Sequence, residues 1–142
     1  MSRYAHYKDL KIEVSEKVAT VSLNRPEARN AINQRLIREL RTIWDDLADD
    51  MEVRAVLLTG AGPIFSVGGD VKAMSDRPGG DVLEEGEVHD PMISRRIVNR
   101  LLELDKPIVC AINGDCVGLA ATIALLCDIT VMSEAEIPTD AP

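Results

Sequence analysis

Residues 106–128 constrain the fold of this chain more than any other stretch. Lys106 and Pro107 lead into an apolar run, Asn113-Gly-Asp-Cys-Val-Gly-Leu119 interrupts it, and an uncharged apolar segment continues to Cys127 and Asp128. A short apolar run introduced by proline and closed by glycines reads as a buried strand, and the uncharged residues 119–126 read as a helix. Strand, glycine turn and helix in that order belong to layered α/β architecture.

The rest of the chain fits the same pattern. Residues 10–14 and 18–23 are rich in β-formers and separated by the polar gap Ser15-Glu16-Lys17, which predicts a hairpin. Arg25-Pro26 ends the second strand. From residue 33 to about 48, Leu36, Ile37, Leu40, Ile43, Trp44 and Leu47 recur at the helical period, with Arg35, Arg38, Arg41 and Asp45 opposite, and Asn30 or Asn33 is placed to cap the helix. Residues 53–59 form a strand whose apolar second half predicts burial on both faces. Residues 76–91, with three glycines, two prolines and many charges, read as a surface loop, and residues 93–104 return to helical spacing. The element order is β-β-α-β-α-β-α-β, an α/β fold with largely parallel strands.

At 142 residues the chain reads as one domain or part of one, and a chain of this size buries roughly two thirds of its unfolded surface. Aromatic residues are only Phe65, Trp44, Tyr4 and Tyr7, so Val, Ile, Leu and Ala must build the core. A net charge of −8 with no basic run argues against nucleic-acid binding. Cys110, Cys116 and Cys127 are odd in number and flanked by apolar residues, which suits reduced thiols. The N-terminus has no apolar leader core and no apolar run approaches about 18 residues, so a cytoplasmic protein that does not enter a membrane is expected.

Two glycine turns carry the chemistry. In Phe65-Ser-Val-Gly-Gly-Asp-Val71 a strand gives way to a tight turn, and Asp70 is placed to cap a helix beginning at Val71. Asn113-Gly-Asp-Cys-Val-Gly-Leu119 is a second turn of the same kind. Each exposes backbone N–H groups beside a helix start, and two such donors on one carbonyl oxygen stabilise a developing oxyanion by about 2.7 to 4 kcal/mol each. Taken alone, glycines after strands also serve as plain structural turns.

Along essentially its whole length the chain resembles the crotonase superfamily, the enoyl-CoA hydratases and isomerases. The matching pieces are Leu23-Asn-Arg-Pro-Glu-Ala-Arg-Asn-Ala-Ile-Asn33, Val56-Leu-Leu-Thr-Gly60, the Phe65 turn, Lys106-Pro-Ile-Val-Cys-Ala-Ile-Asn-Gly114 and Cys127-Asp128-Ile129. The resemblance implies a crotonase-like spiral of repeated β-β-α units over residues 1–142, lacking the C-terminal trimerisation helices. It implies an acyl-CoA or enoyl-CoA thioester as substrate, coenzyme A entering only as part of it, with no permanently bound cofactor and no metal. By the same resemblance, the oxyanion-hole amides are those of Gly69 and Leu119. Ala28 and Asn30 fall in the turn beside the adenine end of coenzyme A, and Ser66, Gly68, Asp70, Val71, Lys72 and Gly118 line the thioester and pantetheine channel. A homo-oligomer, trimeric or hexameric in the family, is the expected assembly.

The chain departs from the family where catalysis is concerned. Hydratases usually carry three glycines and then a glutamate after the second turn, whereas this chain reads Gly118-Leu-Ala-Ala-Thr122. Leu119 keeps an N–H, but its Cβ restricts backbone angles open to glycine. Thr122 falls on the glutamate's position, and a hydroxyl is no general base near neutral pH. The second family carboxylate has no clear equivalent, and Glu134 and Glu136 read as solvated charges. Codons that encode residues 135–139 can spell Gly-Asp-Pro-His, a form of the missing motif, in another frame. A frameshift at this end is therefore an expectation that the downstream DNA tests. The open side of a partial spiral is expected to expose apolar surface.

Other candidates are weaker. His6 and His89 read as exposed residues of a frayed terminus and a loop, and Asp70 as a cap rather than an acid. Lys72 and Arg29 fit either coenzyme A phosphates or solvated surface. The sequence thus predicts a CoA-thioester protein of the hydratase/isomerase family with weak or lost hydration. A non-catalytic acyl-CoA-binding or interaction protein and a non-functional remnant are the alternatives.

Overall fold

A computed structural model describes residues 2–70 and 91–134. Five strands form one sheet in chain order: β1 (Leu10–Ser15), β2 (Val18–Leu23), β3 (Ala55–Gly60), β4 (Ile108–Ile112) and β5 (Ile129–Met132). β1 and β2 pair antiparallel, and every later pairing is parallel. The helices are α1 (Gln34–Asp49), α2 (Ile93–Glu103) and α3 (Leu119–Leu126), and a 3₁₀ turn spans Pro26–Ala28. Among the described residues the expected element order is reproduced. Residues 76–90 of the predicted loop at 76–91, and the helix start at Val71 and Lys72, lie outside the described residues.

The β1–β2 connection is a two-residue loop in which Glu16 and Lys17 both take positive φ, 50° and 68°. That conformation matches the right-handed strand twist, although neither residue is the usual asparagine or glycine. The helix α1 is capped by Asn33, whose backbone is extended and whose side-chain Oδ1 accepts the Leu36 N–H at 2.9 Å. Asn30 is not the cap, because its amide is committed elsewhere. At the other end, Lys106 Nζ donates to the carbonyls of Leu47 and Asp50, satisfying groups the helix terminus leaves open.

One row of the sheet carries the core. Val21 lies beside Leu58, Leu58 beside Cys110, and all three are buried together with Leu36, Leu40, Ile43 and Trp44 of α1 and Ile97 of α2. Burying each such side chain contributes about 1.5–3 kcal/mol. The expectation that β3 is buried on both faces is corrected: Val56, Leu58 and Gly60 are buried, whereas Ala55, Leu57 and Thr59 are only half-buried. The described helices feed a single core cluster, so the opposite face of the sheet keeps partial contact with solvent.

The N-terminal segment is docked rather than frayed, which corrects a second expectation. Tyr4 and Tyr7 are buried, and their hydroxyls donate to Asp50 and Asp46. The Glu39 carboxylate accepts the backbone N–H groups of Lys8, Asp9 and Leu10, and Arg35 grips Asp9 with two bonds of 2.9 Å. His6 packs against the Tyr7 ring. Among the described residues, Leu125 of α3 and Ile129, Val131 and Met132 of β5 are all more than half exposed. Among the described residues, no helix is long and apolar enough to cross a membrane.

Candidate functional site at two joined glycine turns

Both turns are built by groups that only one residue type could supply. Gly60 ends β3 where a Cβ would fall 2.6 Å from the Phe65 carbonyl oxygen, and Gly114 follows β4 where a Cβ would fall 2.1 Å from that of Pro63. Between them, the Asn113 amide donates to the carbonyls of Gly60 and Gly62 and accepts the Gly60 N–H, tying the exits of β3 and β4 together. Asp128 performs the equivalent task one strand over: its carboxylate accepts the Ile108 N–H at 2.7 Å, and its own N–H donates back to the Ile108 carbonyl at 3.0 Å.

Ser66 stitches the two turns into one. Its N–H donates to the Asp115 carbonyl at 2.9 Å and its carbonyl accepts the Val117 N–H at 3.0 Å, forming a parallel bridge to Cys116. A second bridge joins Ile32 to Gly69: the Ile32 N–H donates to the Gly68 carbonyl at 2.7 Å and the Ile32 carbonyl accepts the Asp70 N–H at 3.1 Å. Gly68 and Gly118 then meet with positive φ of 85° and 67°, and a Cβ added to Gly118 would lie 3.5 Å from the Gly68 Cα. Segments 30–32, 66–70 and 115–118 thereby converge.

Two backbone donors are left over at this junction. In the Ile32 bridge the Gly68 carbonyl and Asp70 N–H are consumed, so the Gly69 N–H faces away from Ile32. Leu119 is the first residue of α3, where an N–H has no intrahelical partner and the helix dipole adds positive potential. Among the described residues no acceptor takes the N–H of Gly69 or Leu119. The positive φ falls on Gly118, while Leu119 has an ordinary helical backbone. The expected restriction by its Cβ is therefore not felt at this position, and its side chain packs against the core.

The other site residues divide clearly. Gly69, Gly118 and Thr122 are exposed, Ala28, Asp70 and Leu119 half-buried, and Gly68 buried. Thr122 sits one turn beyond Leu119, with its hydroxyl 3.5 Å from the Gly118 carbonyl. Asn30 and Ser66, expected as ligand-binding residues, are both fully buried. Asn30 uses its amide on the Arg25 N–H and the carbonyls of Ala61 and Ile64, and the Ser66 hydroxyl donates to the Asn30 carbonyl. Their side chains are committed to hydrogen bonds within the protein, which fix the backbone of both turns. Arg29 is exposed beside the turn in a left-handed conformation. Val71 and Lys72 lie outside the described residues.

The sequence marks Arg25 only as a strand stop and as one position of the family-matching Leu23–Asn33 segment, with no role of its own. Its guanidinium Nη1 donates to the Ala31 carbonyl and pairs with Asp70 at 3.3 Å, both charged side chains being largely buried. Its local signal is its place two residues past the end of β2, before Pro26. All three cysteines are free; burial pushes the Cys116 thiol beside the second turn upward, which keeps it protonated near neutral pH, while the hydrogen bond between Cys110 and Cys127 pushes Cys110 up and Cys127 down. Among the described residues no group of three metal-ligating side chains occurs.

This combination of a largely parallel sheet and paired glycine turns with unused amides defines a class. The family profile described as enoyl-CoA hydratase/isomerase matches residues 13–138. The chain belongs to the enoyl-CoA hydratase/isomerase family, the crotonase superfamily. It is 35% identical over 123 residues to a short-chain-enoyl-CoA hydratase of Clostridium acetobutylicum, covering 86% of this chain and 45% of that protein. It is 36% identical over 118 residues to a 1,2-epoxyphenylacetyl-CoA isomerase of Escherichia coli, covering 83% and 45%. Its fold matches the crystal structure of an enoyl-CoA hydratase from Mycobacterium marinum with a TM-score of 0.75 at 39% identity, covering 89% of this chain and 58% of that one. The chain spans about half the length of these relatives.

Proposed function

We propose that this protein binds a coenzyme A thioester and holds the thioester carbonyl oxygen between the N–H groups of Gly69 and Leu119. The observation that supports this reading is the close approach of Gly68 and Gly118, the residues immediately before Gly69 and Leu119, whose N–H groups have no acceptor among the described residues. Donors fixed in place before the substrate arrives need no reorganisation as negative charge develops, and each is worth about 2.7–4 kcal/mol in comparable sites. Polarising the carbonyl of an enoyl thioester draws electron density from its β-carbon and readies it for water.

Hydration also needs a base for that water. Thr122 occupies the region with an exposed hydroxyl whose nearest partner is the Gly118 carbonyl. It can hold a water but cannot deprotonate one near neutral pH. The reading is therefore thioester binding and polarisation with weak or absent hydration, in a cytoplasmic protein that carries no permanent cofactor. The apolar face at α3 and β5 supports a homo-oligomer.

Calorimetry with an acyl-CoA and with free coenzyme A, alongside hydration of a short enoyl-CoA, tests this. Tighter binding of the thioester with little turnover is the expected result. Turnover near that of an ordinary hydratase contradicts the weak-hydration part, and failure to bind any thioester contradicts the whole reading. Binding with no turnover at all corresponds to the non-catalytic acyl-CoA-binding alternative, which the Thr122 hydroxyl favours.

A further inference from the structure

We infer that Arg25 is a positioning residue that aims and polarises the Gly69 donor through two peptide groups. The inference rests on the reading of Gly69 as an oxyanion donor. Arg25 Nη1 donates to the Ala31 carbonyl, the Ile32 N–H donates to the Gly68 carbonyl at 2.7 Å, and the next N–H in line is that of Gly69. In a planar trans peptide the C=O and the following N–H lie in one plane and point in opposite directions. The Ala31–Ile32 peptide therefore passes the guanidinium's pull straight to Gly68, and the Gly68–Gly69 peptide passes it on to the substrate side. No cis peptide interrupts the run.

Orientation follows from the same geometry. The direction of the Gly69 N–H is set by where the Gly68 carbonyl is held, and that carbonyl is held by Ile32. Ile32 is in turn fixed on both sides, by the Ala31 carbonyl under Arg25 and by the Asp70 N–H at 3.1 Å. Arg25 also pairs with the Asp70 carboxylate, so one guanidinium grips the chain immediately before Ile32 and immediately after Gly69. The Arg25 and Asp70 side chains are only 15% and 17% exposed, so water screens this charge poorly. Aligned hydrogen bonds in such surroundings strengthen one another.

The test reads the carbonyl directly. A conjugated 2,4-dienoyl-CoA absorbs further to the red when its carbonyl is polarised, so the difference spectrum of the saturated complex reports the oxyanion donors without any turnover. Arg25→Met and the milder Arg25→Gln should lose roughly 20–50% of the wild-type shift, since each of two relay bonds carries about 10–30% of cooperative strengthening. Arg25→Lys, which keeps a cationic donor, should recover much of it, with affinity for free coenzyme A unchanged in all three. In the ligand-free, isotope-labelled protein the Gly69 amide proton should move upfield in Arg25→Gln and stay near its original place in Arg25→Lys. This second readout does not depend on the thioester reading. An unchanged red shift and an unchanged Gly69 resonance in Arg25→Gln overturn the relay. A bound dienoyl-CoA with no red shift in the unmodified protein overturns the oxyanion reading, and the catalytic meaning of the relay with it.

Discussion

Gly68 and Gly118 lie against each other at the junction of the two turns, and neither place tolerates a side chain. A Cβ on Gly68 would sit 3.0 Å from the Val117 carbonyl oxygen at a φ of 85°, while Gly118 holds a φ of 67° with a ψ of −135°. Gly118→Ala is expected to cost about 1–3 kcal/mol from backbone strain alone. Gly68→Ala adds a backbone contact to a similar strain, and should cost more. Urea unfolding of the two variants measures both, and acyl-CoA affinity should fall with them.

The fully buried Asn30 holds the floor of the site, and its loss should show as instability rather than as a pure binding defect. Asn30→Ala strands the Ala61 and Ile64 carbonyls and the Arg25 N–H in a buried setting. A buried polar group left unpaired costs about 1–3 kcal/mol, so a total near 3 kcal/mol is expected after partial relaxation. The urea midpoint is the measurement.

On the proposed reading, Thr122 stands where hydration would need a base. Thr122→Ala should leave acyl-CoA affinity within about twofold, because the hydroxyl makes only a long contact of 3.5 Å to Gly118. Thr122→Glu should raise hydration of a short enoyl-CoA by at least tenfold, a modest share of the about 10²–10⁴ that a positioned base contributes. A steady-state hydration assay decides it.

The Tyr4–Asp50 bond predicts two limits of pH stability. The Tyr4 hydroxyl and the Glu52 N–H both donate to Asp50 and hold its carboxyl below the ordinary range of about 3.9. A depressed folded pKa stabilises the fold above that ordinary value, and this stability is lost as pH falls below about 4. Burial, and then hydrogen bonding to Asp50 and Asp46, raises the Tyr4 and Tyr7 hydroxyls above their ordinary value of about 10. That contribution is complete below pH of about 10 and is lost as pH rises further. Thermal melts across pH should show both limits, with Tyr4→Phe less sensitive at each end.

The element order was legible because each helix and strand carries its own period, and the glycine turns because a strand followed by glycines leaves few other readings. What could not be read depends on residues far apart in the chain. Tyr4 and Tyr7 looked like a frayed end because their acceptors, Asp50 and Asp46, lie at the C-terminal end of α1, 46 and 39 residues further along the chain. Asn30 matched a family turn, but nothing local shows that its amide faces inward. Arg25 carries no periodic signal, and its meaning appears only once Ala31, Gly68 and Asp70 are seen around it. One face of β3 was misread because an apolar strand does not say how many layers cover it.

The central claim is that Gly69 and Leu119 share one carbonyl oxygen, and Leu119→Pro tests it most directly. Proline is accepted at the first position of a helix, so α3 should survive while its first N–H is removed. The measurement is the absorption shift of a bound 2,4-dienoyl-CoA in the unmodified protein and in Leu119→Pro. The account predicts a red shift in the first and its loss, in whole or large part, in the second, with free coenzyme A bound equally by both. An equal shift in the two proteins contradicts it.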